Sequence, residues 1–431
     1  MIVRPLRLLA LLVLLASFAA ATAQEFDWRR FEGSEIRLMM NRHPFTTGLE
    51  PAVPEFEALT GIKVNLEIFP EDQFRQVRLL EVSSGAATLD GYMIMPGQVG
   101  AQYLGAGWLR YIDDLVADPS LTMPDLDLDD FFAGAIDTFR DGDRLFGLPL
   151  QIESSLLFYR TDLFEAAGLT RPPETMDELL DYASKLSSEL VAGFAMRGRG
   201  AAATSQTVNL LYSFGGEWLD ENGKSGLASP ESVAAHEFYA NIMRNYGPPG
   251  PANLHWAEVT GLYAQGQAAM IFDANVFRSI MEDPAQAIDV VRENTRYAPL
   301  PAGPAGSVPG VLVWGLGINH ASRNVEATWY FIQWALSKEN QIRAGLLGLP
   351  SARASTWAND EFRATAPASW IEASQISFAN GQPYWNPPIV PVAEVRDAYG
   401  QALVAALEGR DVAQALQRAA QEMDRIVERT R

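Results

Sequence analysis

Cysteine is absent from this chain of 431 residues, and histidine occurs only at 43, 236, 255 and 320. The first absence removes disulfide staples, thiolate metal sites and a cysteine nucleophile together. The second leaves no histidines at metal-ligand spacing and no H-E-x-x-H, and a G-x-S-x-G elbow is missing as well. Positive charge is scarce: 33 Lys and Arg stand against 53 Asp and Glu, for a formal charge of −20. Such an imbalance argues against nucleic acid and anionic membrane surfaces as partners, because both require basic patches. No internal repeat is visible, and long apolar runs are limited to residues 8–20. The acidic patch Asp125, Asp127, Asp129 and Asp130 fails as a calcium loop, since its sixth position is Asp130 and its twelfth Ile136 where glycine and glutamate are required. It is expected to be a solvated turn before a helix over 130–139. Gly198-Arg199-Gly200 lacks the third glycine and the Lys-Ser/Thr of a phosphate cradle. No catalytic residue, metal or cofactor is therefore expected.

What is present suits a large exported protein. The length fits two lobes of about 150 to 200 residues each, and 48% hydrophobic with 10% aromatic residues is enough for substantial cores. Arg4 and Arg7, the apolar run 8–20 and Ala21-Thr22-Ala23 before Gln24 form a basic region, a hydrophobic region and an A-x-A cleavage site. Residues 1–23 are thus expected to be a signal peptide, too short for a comfortable bilayer span. Without a following cysteine, lipid anchoring is not expected, which favours a free periplasmic protein.

The stretch 146–186 organises the rest. Gly147 and Pro149 punctuate its start, and residues 155–159 form an apolar run too short for a helix. Thr161 is placed to cap a short helix that Gly168 stops. After Pro172 and Pro173, Thr175 and Glu178 make a capping box, and Leu179, Ala183 and Leu186 share one face of the next helix. The series Leu157, Tyr159, Asp162, Leu163, Phe164, Ala167, Gly168, Leu169, then Pro172, Pro173, Thr175, Asp177, Glu178 and Leu179 resembles the signature of family 1 extracellular solute-binding proteins, the receptors of ATP-binding-cassette (ABC) importers. A second motif, Pro54, Glu55, Phe56, Glu57, Thr60 to Val64, resembles the same family, as do Ser229-Pro230-Glu231 and the segment 310–319. The resemblance implies an α/β fold of the type II periplasmic-binding-protein kind, two α/β lobes joined by hinge strands with a cleft between them. Residues 24–148 and 317–370 would form the N-terminal lobe, and 149–316 and 371–431 the C-terminal lobe. Crossings are expected along 146–186, at 310–319 and near 371–379.

Strands at 36–40, 62–69 and 89–95 alternate with helices at 49–59 and 70–82, which predicts a parallel sheet with crossovers. Ligands of such sheets lie beyond the carboxyl ends of the strands. Asn41, Arg42 and His43 after the first strand and Gln98 after the third are therefore candidates for the cleft. Gln151 and Glu153 alternate on the hinge strand and point to one side. Further strands are expected at 191–197 and at 268–273, the latter ending at the candidate Asp273, and helices at 392–407 and 411–429.

A sugar or polyol needs flat rings for its C–H faces and planar polar groups for its hydroxyls. The candidate rings are Trp218, Trp314, Tyr384 and Trp385, each with core packing as the alternative role. The expected function is capture of a sugar, oligosaccharide or polyol by a monomeric receptor that delivers it to the permease subunits of the importer. Two alternatives compete: a carbohydrate hydrolase using Glu153 and Asp273 as acid and base, and a receptor for a non-sugar solute such as a polyamine.

Overall fold

The computed structural model describes residues 25–383 and 385–430. The expected signal peptide at 1–23 and Tyr384 lie outside them. In chain order the strands are β1 (Glu35–Asn41), β2 (Lys63–Phe69), β3 (Gly91–Ile94), β4 (Arg140–Asp141), β5 (Arg144–Leu145), β6 (Leu148–Arg160), β7 (Met270–Ala274), β8 (Thr295–Ala298) and β9 (Val311–Ile318). The main sheet has the order β2-β1-β3-β9-β6-β7, with β8 also on β6. β1 pairs in parallel with both β2 and β3, as the strand-helix alternation predicts. Helices α1 (Pro44–Leu49), α2 (Val53–Thr60) and α3 (Glu71–Ser83) make the crossovers. β1 and β3 are covered on both faces, which is why Leu38-Met39-Met40 and Tyr92-Met93-Ile94 read as continuous buried runs and not as alternations.

From β9 onward the sheet is antiparallel, and two strands carry the connection between its halves. Leu148 to Ser154 of β6 pair with β9, whereas Ser155 to Arg160 pair with β7 and β8. β9 pairs with β6 over Val311 to Leu316 and with β3 through Gly315 to Ile318. Gly315 permits this closeness, because a Cβ there would sit 2.1 Å from the Phe139 ring and 2.3 Å from the Leu148 carbonyl. Ser351 adds a bridge to Gln151, and Gln382 one to Gly310. Residues 371–379 are helical, part of Ala368–Asn380, and pack on β6 and β8.

Other local expectations are corrected. Residues 191–197 make only isolated bridges, Ala192 to Ala268 and Ala195 to Ile271, because Gly193 is pressed onto the preceding helix, where a Cβ would lie 1.9 Å from the Ala183 carbonyl. The helix expected over 130–139 is reduced to Ala133–Asp137. Extended Phe131 bridges Arg353, whose guanidinium lies 3.9 Å above its ring, and Asp130 accepts from Arg353 at 3.1 Å instead of facing solvent. Thr161 does not cap its helix; its hydroxyl donates to the Asn294 carbonyl at 3.1 Å. Thr175 does cap, accepting from the Glu178 N–H at 3.2 Å.

The buried helix Gly200–Ser213 packs against Pro230–Tyr246 and Val392–Leu407. Among the described residues no helix is long and apolar enough to cross a membrane, and no cluster of His, Cys, Asp and Glu is arranged to hold a metal ion.

Candidate functional site

A cavity of about 470 Å³ lies between the lobes, inside the range of roughly 300–1,000 Å³ typical of small-molecule sites. Its floor is the two connecting strands. Its walls are α3 and the carboxyl ends of β1 and β3 on one side, and residues of the second lobe on the other.

His43 enters the site because the chain stays extended after β1 (φ −137°, ψ 153°) and caps α1, its Nδ1 accepting from the Phe45 N–H at 3.4 Å. That leaves Nε2 to donate to Glu153 Oε1, 3.3 Å away. Gln151 and Glu153 share a side of β6 as their spacing requires, since the Gln151 amide donates to the Glu153 carboxylate. Only Glu153 reaches the cavity; Gln151 is fully buried behind it, within 3.5 Å of His43 Nδ1. Trp314 on β9 stands 5.9 Å from His43, ring to ring. Gln98, from the π-helical turn Pro96–Gly100 after β3, and Trp385 complete the sequence candidates that line the cavity. Trp385 Nε1 and Asn386 Oδ1 are buried without a hydrogen-bond partner among the described residues.

Four candidates lie elsewhere. Arg42 is exposed, because its position between Asn41 and His43 turns it to the opposite side of the extended chain. Asn41 is buried outside the cavity lining, with neither amide atom partnered among the described residues. Trp218 packs edge-on against Tyr399, 5.3 Å between centroids, in the core of the second lobe. Asp273 is fully buried and grips Arg197 through Nε at 3.0 Å and Nη2 at 2.5 Å, while accepting from Gln206 at 3.2 Å. Asp273 is thus a support for a cavity residue and does not line the cavity itself.

The charged walls escaped the sequence reading. α3 presents Glu71, Arg75 and Arg78 at i, i+4 and i+7, and Glu71 pairs with Arg75. Burial opposes ionisation of Glu71, but the positive charge of Arg75, with lesser terms from the second lobe, holds its carboxyl below the usual carboxylate range. Arg78 is only 2% exposed; it donates to the Met93 carbonyl at 2.8 Å and to Tyr103 Oη at 3.2 Å, and lies 4.6 Å from the Phe74 ring. Across the cavity, Arg197 also donates to Ser205 Oγ at 3.1 Å, and Arg396 donates to Thr204 Oγ1 at 2.9 Å and to the Ala201 carbonyl at 2.7 Å. His255 caps the helix Trp256–Ala264, its Nδ1 accepting from the Trp256 N–H at 2.8 Å. Burial, then the charge of Arg197, pushes His255 down to about 3, so at neutral pH its Nε2–H is a fixed donor. Trp256 stacks on Phe277 at 5.2 Å and 14°. At the rim, Arg199 reaches Asp72 of the opposite lobe at 3.2 Å. A signal for two of these residues existed: Arg78 lies between Phe74 and Val82, and Arg396 between Val392 and Tyr399, so each occupies an apolar slot of its helix.

The chain matches the family model described as bacterial extracellular solute-binding protein over residues 43–342. It is 29% identical over 343 residues to the erythritol/L-threitol-binding protein of Mycolicibacterium smegmatis, covering 74% of this chain and 70% of that one. With the mannitol-binding protein of Pseudomonas aeruginosa it shares 27% identity over 350 residues, 79% and 77% of the two chains. The crystal structure of an ABC transporter solute-binding protein from Agrobacterium radiobacter K84 in complex with ribitol is similar with a TM-score of 0.84 and 26% identity, over 91% of this chain and 99% of that one.

Proposed function

Because the chain belongs to the bacterial extracellular solute-binding proteins, we propose that it is the receptor of an ABC importer and captures a polyol or small sugar by closing two lobes around it. The fold is α/β, of the type II periplasmic-binding-protein kind. The observation that carries the reading is the composition of the inter-lobe cavity. Trp314, Trp256 and Trp385 supply flat faces, while Glu153, Gln98, His255 and the arginines supply planar acceptors and donors. Each ligand hydroxyl both gives and takes hydrogen bonds, so a lining that mixes both kinds suits it. The relatives named for erythritol, threitol and mannitol, and the ribitol-bound structure, support the same ligand class.

On this reading residues 24–148 and 317–370 form one lobe and 149–316 and 371–431 the other, with β6 and β9 as hinges. The ligand contacts are Glu153, His43, Gln98, Trp314 and Trp385, joined by Arg78, Arg197, His255, Trp256 and Arg396. Residues 1–23 direct export to the periplasm, where the protein acts as a free monomer and meets the permease. The named relatives are binding proteins, and hydrolysis is not expected here: Asp273, one of the two carboxylates an acid-base pair would need, is engaged by Arg197 and lies outside the cavity lining. A polyamine is disfavoured by the arginines that face the cavity.

The experiment is a thermal-shift series against alditols, sugars and polyamines, followed by calorimetry. A ligand at a hundred times its dissociation constant adds about 2.7 kcal/mol, a shift such a series resolves. A shift with polyamines alone, or none with any alditol, sugar or corresponding sugar acid, would reject the proposal.

A further inference from the structure

The cavity lining as a whole holds four guanidiniums and four carboxylates, but its largely buried groups, set apart from the exposed rim carboxylates Asp72 and Asp397, are not charge-balanced. The guanidiniums are those of Arg75, Arg78, Arg197 and Arg396. The largely buried carboxylates are Glu71 and Glu153 in the lining and Asp273 directly behind it. Glu71 is matched to Arg75 and Asp273 to Arg197. Glu153 takes its hydrogen bonds from Gln151 and His43. Asp72 and Asp397 stand at the exposed rim, and Asp72 is taken by Arg199. Among the described residues Arg78 and Arg396 have no carboxylate partner, although they are 2% and 8% exposed. Each donates to one backbone carbonyl and one hydroxyl. That leaves Nη2 of Arg78 and Nη1 of Arg396 without an acceptor among the described residues.

A buried guanidinium is costly unless an anion or a full set of acceptors compensates it, and its planar fork matches a carboxylate better than a neutral hydroxyl. The two residues enter from opposite lobes, Arg78 from α3 and Arg396 from the helix Val392–Leu407, so they flank whatever fills the space between. We propose that the ligand carries one carboxylate: an aldonate, the acid corresponding to an alditol, is bound in preference to the alditol itself. The charge count selects the class of anion. The largely buried groups leave one excess positive charge, which a carboxylate neutralises, whereas a phosphate ester would bring about −1.5 to −2. This inference rests on the polyol-or-sugar reading and narrows it.

The test is calorimetry at pH 7 with the purified protein and matched pairs: erythritol and erythronate, ribitol and ribonate, mannitol and mannonate. The expected result is that in at least one pair the aldonate binds at least tenfold more tightly than the alditol. Arg78→Met and, independently, Arg396→Gln should each reduce that preference ratio several-fold; using two variants covers the chance that one fails to fold. An alditol that binds as tightly as its acid in every pair that binds would overturn the inference and leave the polyol reading standing. A preference that survives both substitutions would also overturn it. No binding of any pair member or neutral sugar by a protein that melts cooperatively would reject the polyol reading itself, and this inference with it.

Discussion

Asp273→Asn tests the internal architecture of the cavity most directly. Asp273 is fully buried and makes both charge-assisted bonds to Arg197, which is itself 8% exposed. The substitution keeps the shape and removes the charge, so the Arg197 cation stays in place with no counter-ion. Breaking a buried pair from one side costs about 3–5 kcal/mol, in line with the ~4 kcal/mol expected for two unit charges about 4 Å apart in a medium of effective dielectric near 20. For a cooperative unit the size of one lobe this corresponds to a fall of roughly 6–20 °C in melting temperature. Calorimetric melting of the ligand-free protein is the assay. The double variant Arg197→Met, Asp273→Leu removes both charges and should recover most of the loss, because two matched hydrophobic groups replace two desolvated ions. An Asp273→Asn protein melting within about 2 °C of wild type, on the same scale, would refute the claim that this pair anchors the second-lobe wall.

Asp72→Asn removes the ion pair that joins the lobes at the cleft rim; since both side chains are exposed, the ligand Kd should rise no more than about fivefold at low salt. In 1 M NaCl the difference should vanish, and a salt-independent effect would point to another cause. Burial pushes His236 down to about 4, with Nδ1–H donating to the Ser232 carbonyl at 2.6 Å and Nε2 accepting from Tyr399. The unfolded chain takes up this proton first as pH falls through about 6.5, so stability declines between about 6.5 and 4, by roughly 2–3 kcal/mol at pH 4.5. Melting curves at pH 7 and 4.5 should show a shallower decline for His236→Gln, and equal declines would sink the assignment. Gly315→Ala drives a methyl group into Phe139 and the Leu148 carbonyl. It should cost at least about 2 kcal/mol by overpacking the β6–β9 pairing, read as a lowered denaturation midpoint.

Much of the frame was legible because it rests on short-range signals. Capping at Thr175, the stop at Gly168 in the left-handed conformation (φ 74°) and the alternation of strand and helix through β3 are all local. Period two on β6 was enough to put Gln151 and Glu153 on one side. The same rule separates Arg42 from His43, but only if the chain is known to remain extended past β1, which the sequence does not mark. Failures came where long-range contacts decide. Trp218 follows a Gly-Gly turn in the same way as a cleft residue would, and only the packing of Tyr399, from a helix far along the chain, shows it to be core. Asp273 sits at a strand end facing the cleft, yet Arg197 from another segment covers it. Phe131 broke an expected helix because Arg353 claims its ring face.

The residues that were legible and those that were not divide along a functional line. Glu153 and Trp314 lie on β6 and β9, where Gln151 pairs with Trp314 and Glu153 with Leu312, so on the proposed mechanism, with these strands as hinges, they would move little relative to one another. Contacts made equally in the open and closed forms hold a ligand but cannot shift the balance between the two. On the proposed reading the differential contacts would come from groups that face each other across the cavity: Glu71, Arg75 and Arg78 on α3 against Arg197, His255 and Arg396. On the proposed cleft-closing mechanism, affinity for the closed state would therefore reside in the charged walls, while the hinge residues would set the ligand's position. Hinge residues are readable because a strand's period fixes their direction. The wall residues come from segments far apart in the chain and face one another only across the folded cavity, and no spacing within a single segment encodes that meeting.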